Sequence, residues 1–385
     1  MRARTGLAGA AVVVAAAVAG SLAAPAVAAD TGRHEATQKA LDGAVRDGVP
    51  GVTAQAVDKD GAWRGTSGVG DLRTKTPRGA HDRFRVGSIT KSFVATVLLQ
   101  LQGEGKIDLD DPVGKWLPGV VEGHGHDGDR ITVRQLLNHT SGVYDYTDDP
   151  EFTAKVFETK GFLKHRYDTW TPGQQVKLAM RHKPYFAPGQ GWKYSNTNYL
   201  VAGMVIKKVT GHDYADEIEH RVIKPLGLRA TSVPSTGSKV PQPSSRAYSK
   251  LSDGAQGRTY DVTELNPTIA GSAGGMISDA ADLNRFYAAL LGGRLLPKKQ
   301  LAEMKTTVPM GEDSPNASYG LGLMKNKLPC DGGAPVWGHG GGIHGSTSQA
   351  VTTGDGRHSL AFNYNGDWTD EKSIDAIVTA EYCGK

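Results

Sequence analysis

The sequence predicts a mixed α/β protein in which both ends of the chain build one sheet domain and the middle forms a helical insertion. Three observations lead there. Strand patterns lie near the start, at residues 52–57 and 63–69, and return only late, at 319–324, 348–353 and 358–364. Between them, residues 106–267 carry helical patterns separated by Pro- and Gly-containing loops. A chain of 385 residues, 38% hydrophobic and 22% charged, also has enough apolar material for a packed core. The expected division is a discontinuous sheet-plus-helices domain of residues 30–105 and 268–385, with residues 106–267 mainly helical.

Taken in order, the first residues read as a leader. Arg2 and Arg4 give a short basic start, residues 7–22 are uncharged and rich in Ala and Val, and Ala26-Val27-Ala28 offers a small-x-small cleavage site. This is the pattern of a secretory signal peptide, expected to end at about residue 29. The protein is expected to be secreted, with no stable membrane anchor, because no other apolar run nears the ~20 residues a span needs. Residues 35–47 read as a helix ending before Gly48, and the two early strands join through Asp60-Gly61, a hairpin signal. Over 88–102, Ile89, Phe93, Val97 and Leu101 recur every four positions with Val94 and Leu98 beside them. That is a helix with a wide buried face, halted by Gly103 and Gly105. The clearest helices of the insertion are 133–137, 171–181, 197–209 and 214–223. The last two strands flank the turn Asp355-Gly356, and residues 372–382 close the chain as a helix.

Composition excludes several classes. Forty-four basic against 40 acidic residues give a net charge of +4, which halves when Arg2 and Arg4 leave with the signal. No Lys/Arg block concentrates charge as nucleic-acid binding requires. Two cysteines cannot make a disulfide scaffold or a four-Cys zinc site, but they can make one bridge. His124, His126 and Asp127 sit in a Gly- and Asp-rich loop and read as solvated, since catalytic zinc wants three ligands on rigid elements. No metal and no cofactor is expected. Gly105-Lys106 lacks the rest of a phosphate-binding loop, and Ser88 does not lie in G-x-S-x-G.

Three short motifs carry chemistry. Ser88-Ile89-Thr90-Lys91 starts the helix of residues 88–102, and residues three apart share a helix face, so the Lys91 amine can reach the Ser88 hydroxyl. A serine is a weak nucleophile until a base takes its proton, and a lysine can be that base only with a lowered pKa. Alone, S-x-x-K is weak, yet it occurs once in this chain, and a lysine in the first helical turn opposes the macrodipole. Tyr194-Ser195-Asn196 follows 106 residues later at another helix start, with Ser195 as the N-cap. It reads as a capped helix with a packed Tyr, or as a proton-relaying phenol with a positioning amide. His339-Gly340-Gly341 comes 145 residues after Tyr194, in the run Gly338 to Gly342. By itself such a run reads as a loop. As an edge strand it would lend a backbone N–H to an oxyanion.

In this order and at these spacings, the motifs resemble the S-x-x-K, [SY]-x-N, [KH]-x-G signature of the penicillin-recognising serine acyltransferases. Phe84-Arg85-Val86-Gly87, Leu136 to Gly142, Tyr319-Gly320-Leu321-Gly322 and the closing Glu381 to Lys385 are similar to the secreted Streptomyces D-alanyl-D-alanine carboxypeptidases, relatives of class C β-lactamases. The resemblance implies an antiparallel sheet flanked by helices plus an all-helical domain. It implies Ser88 as the acylated nucleophile, Lys91 as its base, Tyr194 as proton shuttle, Asn196 as the amide positioning Lys91 and substrate, and His339 at the family's Lys/His position. The oxyanion hole would use the N–H groups of Ser88 and Gly342, and Cys330 and Cys383 would form the family's bridge. His139, in its turn, reads as a structural hydrogen-bonder.

The chain departs from that pattern where those carboxypeptidases hold the substrate carboxylate. Their hydroxyl positions are Gly340 and Gly342 here, and their arginine position is Met324; Lys325, one residue on, should point to the opposite face. A charge-assisted hydrogen bond contributes about 1.5–3 kcal/mol, so two lost contacts weaken recognition by a factor of hundreds or more. The expected substrate-binding positions are Gly341, Gly342, Tyr146, Thr147 and His344, the last offsetting part of the loss if it faces the cleft. The leading expectation is a monomeric D-alanyl-D-alanine carboxypeptidase acting on peptidoglycan-type, D-amino-acid-containing peptides or esters, with β-lactams as acylating ligands. The alternative is a D-amino-acid peptidase, amidase or esterase. A silent binding or assembly protein is disfavoured because Ser88, Lys91, Tyr194 and Asn196 are all present.

Overall fold

The computed structural model describes residues 32 and 34–384 except 255, 313, 331, 332 and 370, so the expected leader lies outside the described residues. An antiparallel sheet of eight strands forms the centre. β1 (Gly51–Asp58) and β2 (Gly61–Gly68) come from the first part of the chain. β3 (Val308–Pro309), β4 (Ala317–Tyr319), β5 (Met324–Asn326), β6 (Val336–Ile343), β7 (Ser346–Thr353) and β8 (Ser359–Tyr364) come from the last. The order β2-β1-β8-β7-β6-β5-β4-β3 joins the two ends through β1 and β8, with Val52 opposite Tyr364 and Val57 opposite Ser359.

Five helices frame the sheet and its edge: α1 (Glu35–Arg46), α2 (Thr90–Gly103), α3 (Asn196–Thr210), α4 (Ala280–Leu291) and α5 (Glu371–Cys383). Leu41 and Ala44 of α1 and Ile377 and Val378 of α5 pack on one sheet face against Val52, Ala54, Leu360 and Phe362. On the other face α2 and α4 meet through Phe93 and Phe286, whose rings stack 3.7 Å apart. Covering both faces makes β8 buried along its whole length, and each such apolar side chain contributes about 1.5–3 kcal/mol. One continuous buried cluster joins Leu136, Leu200 and Val205 of the expected insertion to Phe93, Phe286 and Trp337. Cys330 and Cys383 are bonded, tying the loop before β6 to the end of α5. Among the described residues no helix is long and apolar enough to cross a membrane.

Two elements differ from expectation, and a third decides between the two readings of the glycine run. The single strand expected over 319–324 is two, β4 and β5, because the chain turns at Gly322 (φ +66°) and Gly320 N–H donates to the Leu323 carbonyl at 2.7 Å. That turn presses on α2: a Cβ on Gly322 would stand 2.9 Å from the Lys91 carbonyl oxygen. The helix expected over 214–223 is α-helical only for Tyr214–Ile218 and widens to a π-helical turn at Glu219–Ile223. Gly338 to Gly342, loop-like by composition, lie inside β6, where pairing with β7 supplies the order glycine lacks.

Candidate active site

The site begins in a tight turn. Gly87 (φ +53°) opens a short 3-10 turn, Gly87–Ile89, that runs directly into α2, and Thr90 Oγ1 closes it by donating to the Gly87 carbonyl at 2.7 Å. Ser88 is therefore half-buried at the head of a helix packed almost all round, and Lys91, one turn on, is fully buried. Lys91 Nζ lies 3.0 Å from Ser88 Oγ, 2.8 Å from Asn196 Oδ1 and 2.7 Å from the Ala273 carbonyl. The last two partners only accept, so in the neutral amine they take both N–H groups and leave the lone pair facing Ser88. Burial draws the Lys91 pKa down to about 7 against the opposing charge of Asp145. The pair thus has both the geometry and the protonation balance of a serine with its base.

Tyr194 and Asn196 arrive from the start of α3. The Tyr194 ring lies 4.8 Å from Lys91 Nζ, and its hydroxyl interacts with Ser88. Burial raises the phenol above its ordinary pKa, so it stays protonated and can donate to a leaving group. Ser195 occupies the N-cap position, but its side chain makes no cap and its Oγ has no partner among the described residues. The first free N–H of α3, that of Asn196, is taken by Asp145 Oδ2 at 2.9 Å, and the same oxygen accepts from Asn196 Nδ2 at 2.9 Å. His139 supports this segment from below. Its ring lies 4.3 Å from that of Tyr194, and its Nδ1 accepts from Ser195 N–H at 3.2 Å and Asn198 Nδ2 at 3.1 Å.

The third wall is β6. Gly341 must be glycine: a Cβ there would overlap the Val86 carbonyl oxygen and stand 3.0 Å from Ser88 N. This approach brings Gly342 against the Gly87–Ser88 turn, with Gly342 N 2.8 Å from where a Gly87 Cβ would be. The backbone of Gly342 is thereby packed beside the turn that carries Ser88. His339 is buried beside Tyr194, ring centres 6.5 Å apart. Its Nδ1 faces the Gly340 carbonyl and so carries the proton, while Nε2 accepts from Tyr319 at 2.7 Å. Burial pulls its pKa down to about 3, so the imidazole is neutral. Among the described residues neither nitrogen bonds Ser88, Lys91 or Tyr194, which makes His339 part of the wall rather than a charged contact.

Two expected substrate-binding side chains are placed elsewhere. Tyr146 is buried with its hydroxyl donating to the Ile269 carbonyl at 2.7 Å, because its ring packs against Phe152 in the helical region. His344 turns away from the cleft: its Nε2 donates to the Val156 carbonyl at 2.8 Å and its ring is stacked on Phe157 and Phe162. Burial also draws its pKa down to about 4, so at neutral pH it has no charge to offer a carboxylate. Thr147 stays partly exposed, its N–H held by Asp145 Oδ1 at 3.1 Å. Met324 sits opposite Gly338, on the face shared by Gly340 and Gly342, while Lys325 is opposite Trp337 and holds its ammonium 5.4 Å from that ring. A Cβ on Gly342 would meet open space, and one on Gly340 would crowd the Gln349 amide oxygen at 2.7 Å.

Sequence reasoning missed Asp145, the Ala273 carbonyl and the Tyr319 hydroxyl. Backbone partners leave no trace in composition, and an aspartate in a polar loop after Leu136 to Gly142 has no local signal.

A buried Lys with its lone pair on a helix-head Ser, a phenol beside both and a glycine strand packed on the serine's turn define a serine acyl-transfer site. The model of the Beta-lactamase family matches residues 28–381, and the chain belongs to that family. It is 62% identical to a D-stereospecific amidohydrolase from a Streptomyces species, covering 91% of this chain and 99% of that one with a TM-score of 0.86. A D-amino acid amidase from Ochrobactrum anthropi SV3, solved with L-phenylalanine amide, is 30% identical over 91% of this chain and 98% of its own, TM-score 0.78. Penicillin-binding protein 4* of Bacillus subtilis is 26% identical over 86% of this chain and 71% of its own. The chain is a serine hydrolase of the β-lactamase and penicillin-binding-protein class, a class that works through an acyl-enzyme.

Proposed function

We propose that the protein is an exported D-stereospecific amidohydrolase, cleaving D-aminoacyl amides, peptides or esters whose leaving end carries no free carboxylate. The observation that carries this reading is the side-chain chemistry at the positions where the carboxypeptidases hold a carboxylate: Gly340 and Gly342 bear no hydroxyl, Met324 is uncharged and lies beside Ile374 and Val378 of α5, and Lys325 is held at Trp337. The leading carboxypeptidase expectation needs a carboxylate holder there. The preference for D-substrates draws its support from the two relatives named for it.

In this reading Lys91 takes the Ser88 proton as Oγ attacks the substrate carbonyl, and the N–H groups of Ser88 and Gly342 receive the oxyanion. The carbon–nitrogen or carbon–oxygen bond breaks as Tyr194 passes a proton to the leaving group and regains one from Lys91. Water then attacks the Ser88 ester, giving up a proton along the same route, and Ser88 is released. Turnover of a D-aminoacyl amide compared with an acyl-D-Ala-D-Ala free acid tests the proposal. A strong preference for the free acid sinks it. Penicillin should add its mass to Ser88 in the wild type and not in Ser88→Ala.

A further inference from the structure

Asn196 is asymmetric, and its orientation matters. A carboxamide can turn either its oxygen or its nitrogen toward Lys91, and only the oxygen leaves the lysine lone pair for Ser88. With nitrogen facing Lys91, a neutral amine would accept from Asn196 and lose its vacant direction toward the serine. What selects the productive orientation is Asp145. Its Oδ2 accepts from both the backbone N–H and Nδ2 of Asn196 at 2.9 Å, and its Oδ1 from Thr147 N–H at 3.1 Å. A carboxylate only accepts, so it can face nothing but the Asn196 nitrogen. Asp145 is itself fixed, its own N–H donating to Tyr185 Oη at 3.1 Å and the residue only 5% exposed.

We infer that Asp145 is a positioning residue of the acylation step, holding the Asn196 amide so that the free amine of Lys91 keeps its lone pair on Ser88. The inference rests on the proposed acyl-enzyme chemistry but adds a residue absent from the three motifs. The remaining groups around Lys91 are the rings of Tyr194 and Tyr199, at 4.8 and 5.5 Å, and the imidazoles of His139 and His339, which burial keeps neutral. Asp145 is the carboxylate whose charge favours the ammonium form of Lys91. It also caps α3, and that role alone would make it structural, so the test must separate the two.

The rate at which an activated D-aminoacyl ester acylates the enzyme is measured across pH for wild type, Asp145→Asn, Asn196→Ala and Asp145→Ala/Asn196→Ala. Asp145→Asn should slow acylation by about 10²-fold, the low end of what a positioned base contributes. Its lysine-dependent limb should move to lower pH, because a charge favouring the ammonium is gone. The double variant should be no slower than Asn196→Ala, because Asp145 acts through that residue. An unmoved limb, or multiplying losses in the double variant, overturns the inference and leaves the proposed function standing. If Asp145→Asn does not fold, Asp145→Glu replaces it: the charge is kept, so the rate should fall while the limb stays, and a limb that moves is the overturning result. A wild type that the ester does not acylate fails both readings together.

Discussion

Gly341 and Val86 stand so close that a methyl group on Gly341 would overlap the Val86 carbonyl oxygen. Through this contact β6 is held against the turn that carries Ser88. Gly341→Ala should therefore cost about 1–3 kcal/mol of stability by overpacking and reduce activity by moving Gly342, the proposed oxyanion donor. Gly342→Thr should fold normally, since a Cβ there meets open space. It should also raise turnover of an acyl-D-Ala-D-Ala free acid relative to its C-terminal amide. Thermal unfolding and the two turnover rates check the pair.

A lysine can act as a base only when neutral, and burial places the Lys91 pKa near 7. The rate with an activated ester should fall tenfold per pH unit below about 7 and level off above it. Lys91→Ala should lose about 10²–10⁴-fold, with a flat profile over the same range. A pH–rate series on both proteins is the measurement.

His344 is buried neutral, with its pKa drawn from 6.5 to about 4. Below pH 6.5 the unfolded chain binds a proton that the folded chain refuses until about pH 4. Stability is therefore lost as the pH falls through that window, at up to about 1.4 kcal/mol per unit. His344→Phe removes this titration. It should lower Tm at pH 7, by stranding the Val156 carbonyl, yet show a flatter Tm between pH 6.5 and 4 than wild type.

The Cys330–Cys383 bond closes a loop with a sequence separation of 53 residues. Cross-linking a loop of this length restricts the unfolded chain by about 4 kcal/mol. Cys330→Ser/Cys383→Ser should lower Tm by several degrees while leaving the pH–rate profile unchanged, because the bond lies at the end of α5 and not at Ser88. Calorimetry and the same ester assay decide it.

Much of this protein is local in origin. The every-four apolar recurrence of α2, the strand patterns at both chain ends and the order of Ser88, Lys91, Tyr194, Asn196 and His339 are all readable along the chain. They depend on side-chain chemistry and short-range periodicity. The glycine run of β6 does not read as a strand by composition, since its glycines carry no propensity of their own and take their order from β7. His344 and Tyr146 depart from expectation for a related reason: their partners, the Val156 and Ile269 carbonyls, are backbone groups far off in sequence. Asp145 stands 51 residues before Asn196 and belongs to no motif spacing. Only folding brings Asp145, Asn196 and Lys91 into one line of hydrogen bonds. Which atoms are available for acyl transfer is written along the chain. Their protonation and aim come only with folding, because both depend on burial and on acceptors contributed by distant parts of the chain.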